Sequence, residues 1–285
     1  MKNIVSLLYV LGVVTAEIDW SSVTERNINI DIRPLPLAIS EYANRITGGQ
    51  EARPHQFPYQ AGLILTVPGN DRKGFCGGTL ISENYVLTAA HCVDKMETIE
   101  VILGGHRIKE YENTQVRMNC TEFIVHEDWS PTWMRNDIAL IKLPELVQLN
   151  DNIQPIHLPS KSENRKFEGH IVTVTGWGKD SDDSDGISPV LRHVQTTIIS
   201  NPTCFLSFPF LISKTHICTS GENGKSSCDG DSGGPLTTEE NDRTFLIGLV
   251  SFGRNTGCEK GYPAVFTRLT SFLTWIEQHS DVRIQ

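Results

Sequence analysis

Short runs of alternating apolar and polar residues dominate the chain. Ile171-Val172-Thr173-Val174-Thr175 repeats with a period of two, and comparable β-rich runs recur at 60–67, 79–88, 99–103, 138–143, 196–199 and 245–252. Turns containing Gly, Pro or Asn separate them, so the pattern predicts half-buried antiparallel strands. One segment keeps a helical period: Leu269, Phe272, Leu273 and Ile276 stand at i, i+3, i+4 and i+7. Thr270 and Ser271 can supply its cap, which predicts one amphipathic C-terminal helix. There is no internal repeat. Many short strands and one terminal helix predict an all-β fold, as a sandwich or a pair of barrels.

The N-terminal region follows another pattern. Met1-Lys2-Asn3 leads into the apolar run 4–14, then Val14-Thr15-Ala16, and polarity returns at Glu17. One positive charge, a short apolar stretch and a small exit residue read as a signal peptide over 1–16. A membrane span needs about 20 apolar residues, and no later stretch is apolar enough to cross. The protein is therefore expected to be secreted and extracellular, where disulfides persist. Residues 17–45 are polar, contain Arg33-Pro34-Leu35-Pro36 and lack cysteine, as a linker or pro-segment would. They end at Arg45, directly before Ile46-Thr47-Gly48-Gly49, which reads as a processing site. A cut there leaves 285 − 45 = 240 residues.

Composition narrows the partners. With 39% hydrophobic residues the 285-residue chain can bury a core, and its formal charge is 25 − 34 = −9. The first 45 residues hold four bases and five acids, so the acidity (−8) stays with the remainder. Without a basic run, neither nucleic acid nor an anionic membrane is expected as a partner. The cysteines number 7, which allows 7 × 15 = 105 ways to pair six and leave one.

Three segments carry chemistry: Thr88-Ala89-Ala90-His91-Cys92, Asn136-Asp137-Ile138-Ala139-Leu140 and Gly230-Asp231-Ser232-Gly233-Gly234-Pro235. Acyl transfer to a serine needs a base for its proton and a carboxylate to fix the base's tautomer. It also needs N–H groups for the developing oxyanion. A serine flanked by glycine-bearing turns can expose its hydroxyl while the Gly230 and Ser232 N–H groups converge on one oxygen. The order His, Asp, Ser is one of three known for such triads.

With these motifs stand Ile46-Thr47-Gly48-Gly49, Cys76-Gly77-Gly78-Thr79-Leu80-Ile81, Gly176-Trp177-Gly178, Ser251-Phe252-Gly253 and Tyr262-Pro263. Together they resemble the chymotrypsin-fold, trypsin-like secreted serine endopeptidases over 46–285. In pattern the chain is similar to arthropod chymotrypsin-like and collagenolytic enzymes, through Gln115–Met118 and Thr121–His126. The resemblance implies two antiparallel six-stranded β-barrels, about 46–155 and 156–285, with the active site between them. It implies His91 as general base, Asp137 as its orienting carboxylate, Ser232 as nucleophile, and Gly230 and Ser232 as oxyanion hole. It implies that Ser251 is an accessory hydroxyl behind Asp137 and that Ser251, Phe252 and Gly253 pair with substrate backbone. It further implies activation by a cut after Arg45, whose new Ile46 ammonium turns inward to pair with Asp231.

The same likeness puts Ser226 at the base of the specificity pocket, Gly253 and Ala264 on its walls and Asp229 at its rim. A neutral base argues against Arg or Lys and for a large apolar residue such as Phe, Tyr, Leu or Met. Ala264 trims the slot towards Leu or Met, a preference worth about 1–3 kcal/mol per methylene. The expected partners are protein or peptide substrates, an activating trypsin-like protease and protein protease inhibitors, and the chain is expected to be a monomer. The rival reading is a catalytically silent homologue acting as a binding or regulatory module. All three triad residues are present, which argues against it.

Other signals are set aside. Asp180–Gly186 begins like a calcium loop, but Arg192 stands where a Glu is required, so it reads as a solvated acidic loop. Gly105 and Thr114 occupy positions where calcium-binding relatives carry Glu, and Gly224-Lys225-Ser226 is only half a phosphate loop. Neither a metal nor another cofactor is expected. The resemblance implies the disulfides Cys76–Cys92, Cys204–Cys218 and Cys228–Cys258. It leaves Cys120 unpaired, inside the one glycosylation sequon, Asn119-Cys120-Thr121.

Overall fold

Two strands lie outside the main pattern: β1 (Val23–Glu25) and β2 (Gln50–Glu51). The N-terminal half is built from β3 (Gln60–Thr66), β4 (Lys73–Leu80), β5 (Tyr85–Thr88), β6 (Thr98–Leu103), β7 (Val116–Cys120), β8 (Glu122–Val125) and β9 (Ala139–Lys142). Their order in the sheet is β7-β6-β3-β4-β5-β9-β8. The two ends of that path, β7 and β8, are separated only by Thr121. They act as one bent strand that brings the sheet round on itself, giving the first six-stranded barrel. The structure, a computed structural model, describes residues 18–26, 48–69 and 73–285. The expectations placed on residues 1–16, Arg45 and Ile46 lie outside the described residues.

The second barrel contains β10 (Ile171–Gly176), β11 (Arg192–Ile199), β12 (His216–Thr219), β13 (Pro235–Glu240), β14 (Arg243–Phe252) and β15 (Ala264–Arg268). The order β10-β13-β14-β15-β12-β11 closes through a β10–β11 pairing, and β2 adds to β11. Strand β11 shows the expected period of two, burying Arg192, Val194, Thr196 and Ile198 and leaving Gln195 and Thr197 exposed. Among the described residues no helix is long and apolar enough to cross a membrane.

The run 79–88 is not one strand. Ser82 Oγ accepts the N–H groups of Asn84 (3.2 Å) and Tyr85 (3.1 Å), a local turn that divides β4 from β5. The C-terminal helix also starts later than its pattern suggests. Leu269–Ser271 forms a 3-10 turn, Phe272 departs from helical angles, and the α-helix spans Leu273–His279 without a side-chain cap from Thr270 or Ser271. The apolar face survives, because Leu269, Phe272, Leu273 and Ile276 are all buried. They pack with Leu87, Ile138 and Leu140 of the first barrel and Leu246 and Leu249 of the second. Each such side chain contributes about 1.5–3 kcal/mol when fully buried, so this cluster ties the two halves together.

Part of the expected pro-segment is structured rather than a bare polar linker. Residues Trp20–Ser22 form a 3-10 turn, capped by the Asp19 carboxylate, and β1 pairs parallel to β4. Ile18, Trp20 and Val23 pack against a cluster that includes Phe75, Ile102 and Trp177.

Candidate active site

Asp137 reaches its position through a left-handed residue. Asn136 has φ +55° and its side-chain amide donates to the Asp128 carbonyl at 2.9 Å. Asp137 is completely buried, at 0% exposure. Its Oδ1 accepts the His91 N–H at 2.9 Å, and its Oδ2 accepts from His91 Nδ1 at 2.8 Å. Ser251 Oγ donates to the same Oδ2 at 2.6 Å. A buried carboxylate is costly unless hydrogen-bonded, and these three donors satisfy it. They also leave His91 with its proton on Nδ1 and its lone pair on Nε2.

His91 lies on the short helix α1 (Ala90–Val93), all of whose residues are buried. Ala89 and Ala90, which precede it, have no exposure. Cys92 fixes this helix to β4 through the Cys76–Cys92 disulfide. The His91 Nε2 is buried and has no hydrogen-bond partner among the described residues.

Ser232 sits in a loop held against both barrels. Its carbonyl accepts from Gly77 N–H at 2.7 Å, and Cys92 Sγ lies 3.5 Å from the same oxygen. The N–H groups of Asp231, Gly233 and Gly234 bond to the carbonyls of Cys228, Val250 and Asp231. Gly230, at φ +95°, makes the turn that an L side chain would strain.

Asp231 is fully buried and accepts from Gly178 N–H (2.8 Å) and Cys228 N–H (2.9 Å). Burial pushes its carboxyl up to about 6, the two N–H donors oppose this, and nearby Asp229 adds to it. The Gly-Trp-Gly motif follows from this carboxylate. A Cβ on Gly176 or Gly178 would come within 2.1 or 2.5 Å of it. Between them, buried Trp177 donates from Nε1 to the His106 carbonyl at 3.0 Å.

Beside Ser232 lies a narrow cavity of about 30 Å³, lined in part by Ser227, Cys228, Asp229, Ser251 and Phe252. Gly253, Arg254 and Asn255 complete one side of it. Ser226 and Ala264 are buried but do not line this cavity. Ser227 and Arg254 are the residues that sequence reasoning overlooked. The Arg254 guanidinium lies 4.2 Å from the Tyr262 ring centre and donates to the Ser207 carbonyl at 2.8 Å. Phe252 is buried edge-on against Phe208 and His216, while Gly253 is exposed with open space above it. The half-buried Asp229 carboxyl is raised by burial and by Glu25 and Asp182, against the lowering effect of Lys179.

The acidic loop 180–186 is docked through Asp182, while Asp183 and Asp185 are exposed as a solvated loop would have them. Asp182 accepts from Cys258 N–H at 2.6 Å and Glu259 N–H at 3.4 Å, holding down the segment closed by the Cys228–Cys258 disulfide. Cys204 and Cys218 form the third disulfide, and Cys120 keeps a free thiol buried in the first barrel. Burial pushes that thiol up to about 12. Asn119 is exposed on β7. The loop through Gly105 is closed by Glu112, which accepts from the N–H groups of His106 (2.6 Å) and Arg107 (2.9 Å).

Comparison with known proteins gives a consistent picture. Residues 46–276 match the sequence model of the family described as Trypsin. The chain is 44% identical over 237 residues to brachyurin of Leptuca pugilator, covering 83% of this chain and 99% of that protein. It is 42% identical over 240 residues to collagenase of Hypoderma lineatum, covering 84% and 88%. It is 36% identical to chymotrypsin of Phaedon cochleariae over the full length of both chains. The solved structure titled HL collagenase superposes with a TM-score of 0.75 at 41% identity, covering 83% of this chain and 99% of that one.

Proposed function

The chain belongs to the trypsin family and is a serine endopeptidase, and on that premise we propose that it is secreted as a zymogen and cleaves after large apolar residues. The observation that carries the catalytic assignment is the buried array Ser251–Asp137–His91, which leaves the imidazole Nε2 as a base without a partner among the described residues. In this reading Nε2 takes the Ser232 Oγ proton as the oxygen attacks the substrate carbonyl. The Gly230 and Ser232 N–H groups hold the resulting oxyanion. His91 then returns the proton to the leaving amine, and water attacks the acyl-enzyme by the same route in reverse.

Zymogen character is supported by two features. Asp231 is a completely buried carboxylate with N–H donors but no cationic partner among the described residues. Burying such a group unpaired is costly, and an Ile46 ammonium freed after Arg45 would relieve that cost. Ser226 and Ala264 are buried and line no part of the cavity beside Ser232, so the slot assigned to a large side chain is not open in this form. Apolar preference rests on Ser226, which supplies no charge for Arg or Lys. The names of the relatives include both chymotrypsin and collagenase, which agrees with a protein substrate and does not choose among Phe, Tyr, Leu and Met.

Two measurements test this reading. N-terminal sequencing of the secreted active form should begin at Ile46, and any other start defeats the activation scheme. A peptide panel should show cleavage after Phe, Tyr, Leu or Met, and a clear preference for Arg would sink the pocket assignment.

A further inference from the structure

Strand β4 pairs with β5 only at Thr79 and Leu80, so the edge of its first half is open on that side. Strand β1 fills this edge in parallel register, with Val23 opposite Lys73, Thr24 opposite Gly74 and Glu25 opposite Phe75. The Arg26 N–H continues the ladder to the Phe75 carbonyl at 3.3 Å. Two residues further along β4, Gly77 N–H holds the Ser232 carbonyl. The added strand therefore lies against the nucleophile loop.

Its two last described side chains straddle the cleft. Glu25 Oε1 lies 4.0 Å from Lys179 Nζ, and Glu25 Cγ would be 3.6 Å from a Cβ placed on Gly230. Arg26 turns the other way. Its guanidinium is 3.4 Å from the Asp94 carbonyl, directly after the His91 helix, and 3.5 Å from Met96 Sδ. The C-terminal end of the segment thus places Glu25 over Gly230 and Arg26 just beyond the helix that carries the base. Ile18, Trp20 and Val23 anchor it to Phe75, Ile102, Trp177 and Ile187. None of these contacts is to Ser251–Gly253, the strand assigned to the acyl side of the substrate, so the covered ground is assigned to the leaving-group side.

We propose that the Lys73–Phe75 edge, with Lys179 and Gly230, is a docking surface for an extended peptide, occupied here by the chain's own Ile18–Arg26. This segment excludes the leaving-group side of a substrate by strand addition, with main-chain bonds supplying affinity and Glu25 supplying register. The inference rests on the assignment of Ser232 as nucleophile. Residues 17–45 contain no cysteine, so after a cut at Arg45 no disulfide holds the segment, and among the described residues these contacts do. It then acts as a reversible inhibitor in trans.

The test uses the mature chain and a synthetic peptide of residues 17–26. The peptide should inhibit cleavage of substrates that extend past the scissile bond, competitively, while a small serine-reactive probe still labels Ser232. Glu25→Lys in the peptide should raise Ki at least about tenfold, Lys179→Glu in the enzyme should do the same, and the swapped pair should recover most of the loss. Unchanged turnover at about 1 mM peptide in an enzyme that cleaves the panel would overturn the inference alone. Anisotropy of the labelled peptide on the mature Ser232→Ala chain scores docking without turnover. Absence of binding there overturns the docking surface, and binding without inhibition overturns its position on the leaving-group side. A mature chain that binds the peptide but cleaves nothing retains the surface and defeats the enzymatic reading instead.

Discussion

Ser251 Oγ donates a 2.6 Å hydrogen bond to the Oδ2 atom of Asp137 that also holds His91 Nδ1. The serine comes from β14 of the second barrel and the aspartate from the segment leading into β9 of the first. The orientation of the base therefore depends on how the halves meet, and the C-terminal helix cluster fixes that meeting. Removing a donor to a charged acceptor costs about 1.5–3 kcal/mol. Ser251→Ala should lower kcat by about 10- to 100-fold with little change in KM. Steady-state kinetics on one peptide checks this, and a loss confined to KM would contradict it.

Gly178→Ala should damage the fold around Asp231. Its Cβ would lie 2.5 Å from the carboxylate that its own N–H holds. Overpacking of this kind costs about 1–3 kcal/mol, or about 2–12 °C in Tm for a domain of this size. Calorimetry of the Ser232→Ala background reads the shift without self-digestion. An unchanged Tm would show that the close approach is not needed.

The precursor should lose stability as pH rises from about 4 to about 6. The Asp231 carboxyl is raised by burial to about 6 from 3.8. Across that window the unfolded chain has released this proton while the folded chain keeps it. Stability from this group is therefore full below the lower value and lost above the higher one, by roughly 2–4 kcal/mol. Denaturant unfolding of the Ser232→Ala precursor should show the fall, and Asp231→Asn should remove it. In the mature form an Ile46 ammonium should also remove it. The same slope in wild type and Asp231→Asn would assign the effect elsewhere.

Asp182→Ala should loosen the rim of the cavity beside Ser232. The carboxylate holds two N–H groups of the segment that the Cys228–Cys258 disulfide closes. Leaving such donors unsatisfied costs about 1–3 kcal/mol each where they stay buried. The expected result is a higher KM across the peptide panel with a smaller change in kcat. Equal KM values for variant and parent would leave Asp182 no part in shaping the cavity.

The fold class and the His91–Asp137 pairing were legible because each depends on local pattern. Period-two runs gave most strands, and the His91, Asp137 and Ser232 motifs are short and ordered. What escaped were features set by distant partners. Strand β4 begins at Lys73, in glycine-rich sequence with no alternation, because close backbone packing selects Gly77 there. The helix Asn201–Ser207 announced itself only through a Ser200 cap and Pro202. Asp182 looked solvated because its acceptors' donors lie more than 70 residues away. Glu25 and Arg26 were unremarkable in a polar stretch, since their significance comes from Lys179, Gly230 and Asp94.

Covalent labelling bears most directly on the central claim that Ser232 is the activated nucleophile. The precursor is treated with a trypsin-like protease to cut after Arg45, exposed to a serine-reactive phosphonate, and mapped by peptide mass. The account predicts one adduct, on Ser232, which disappears in the His91→Ala and Asp137→Asn chains by at least about 10³-fold in rate. A cut chain that takes no label, or takes it on another residue, would contradict it.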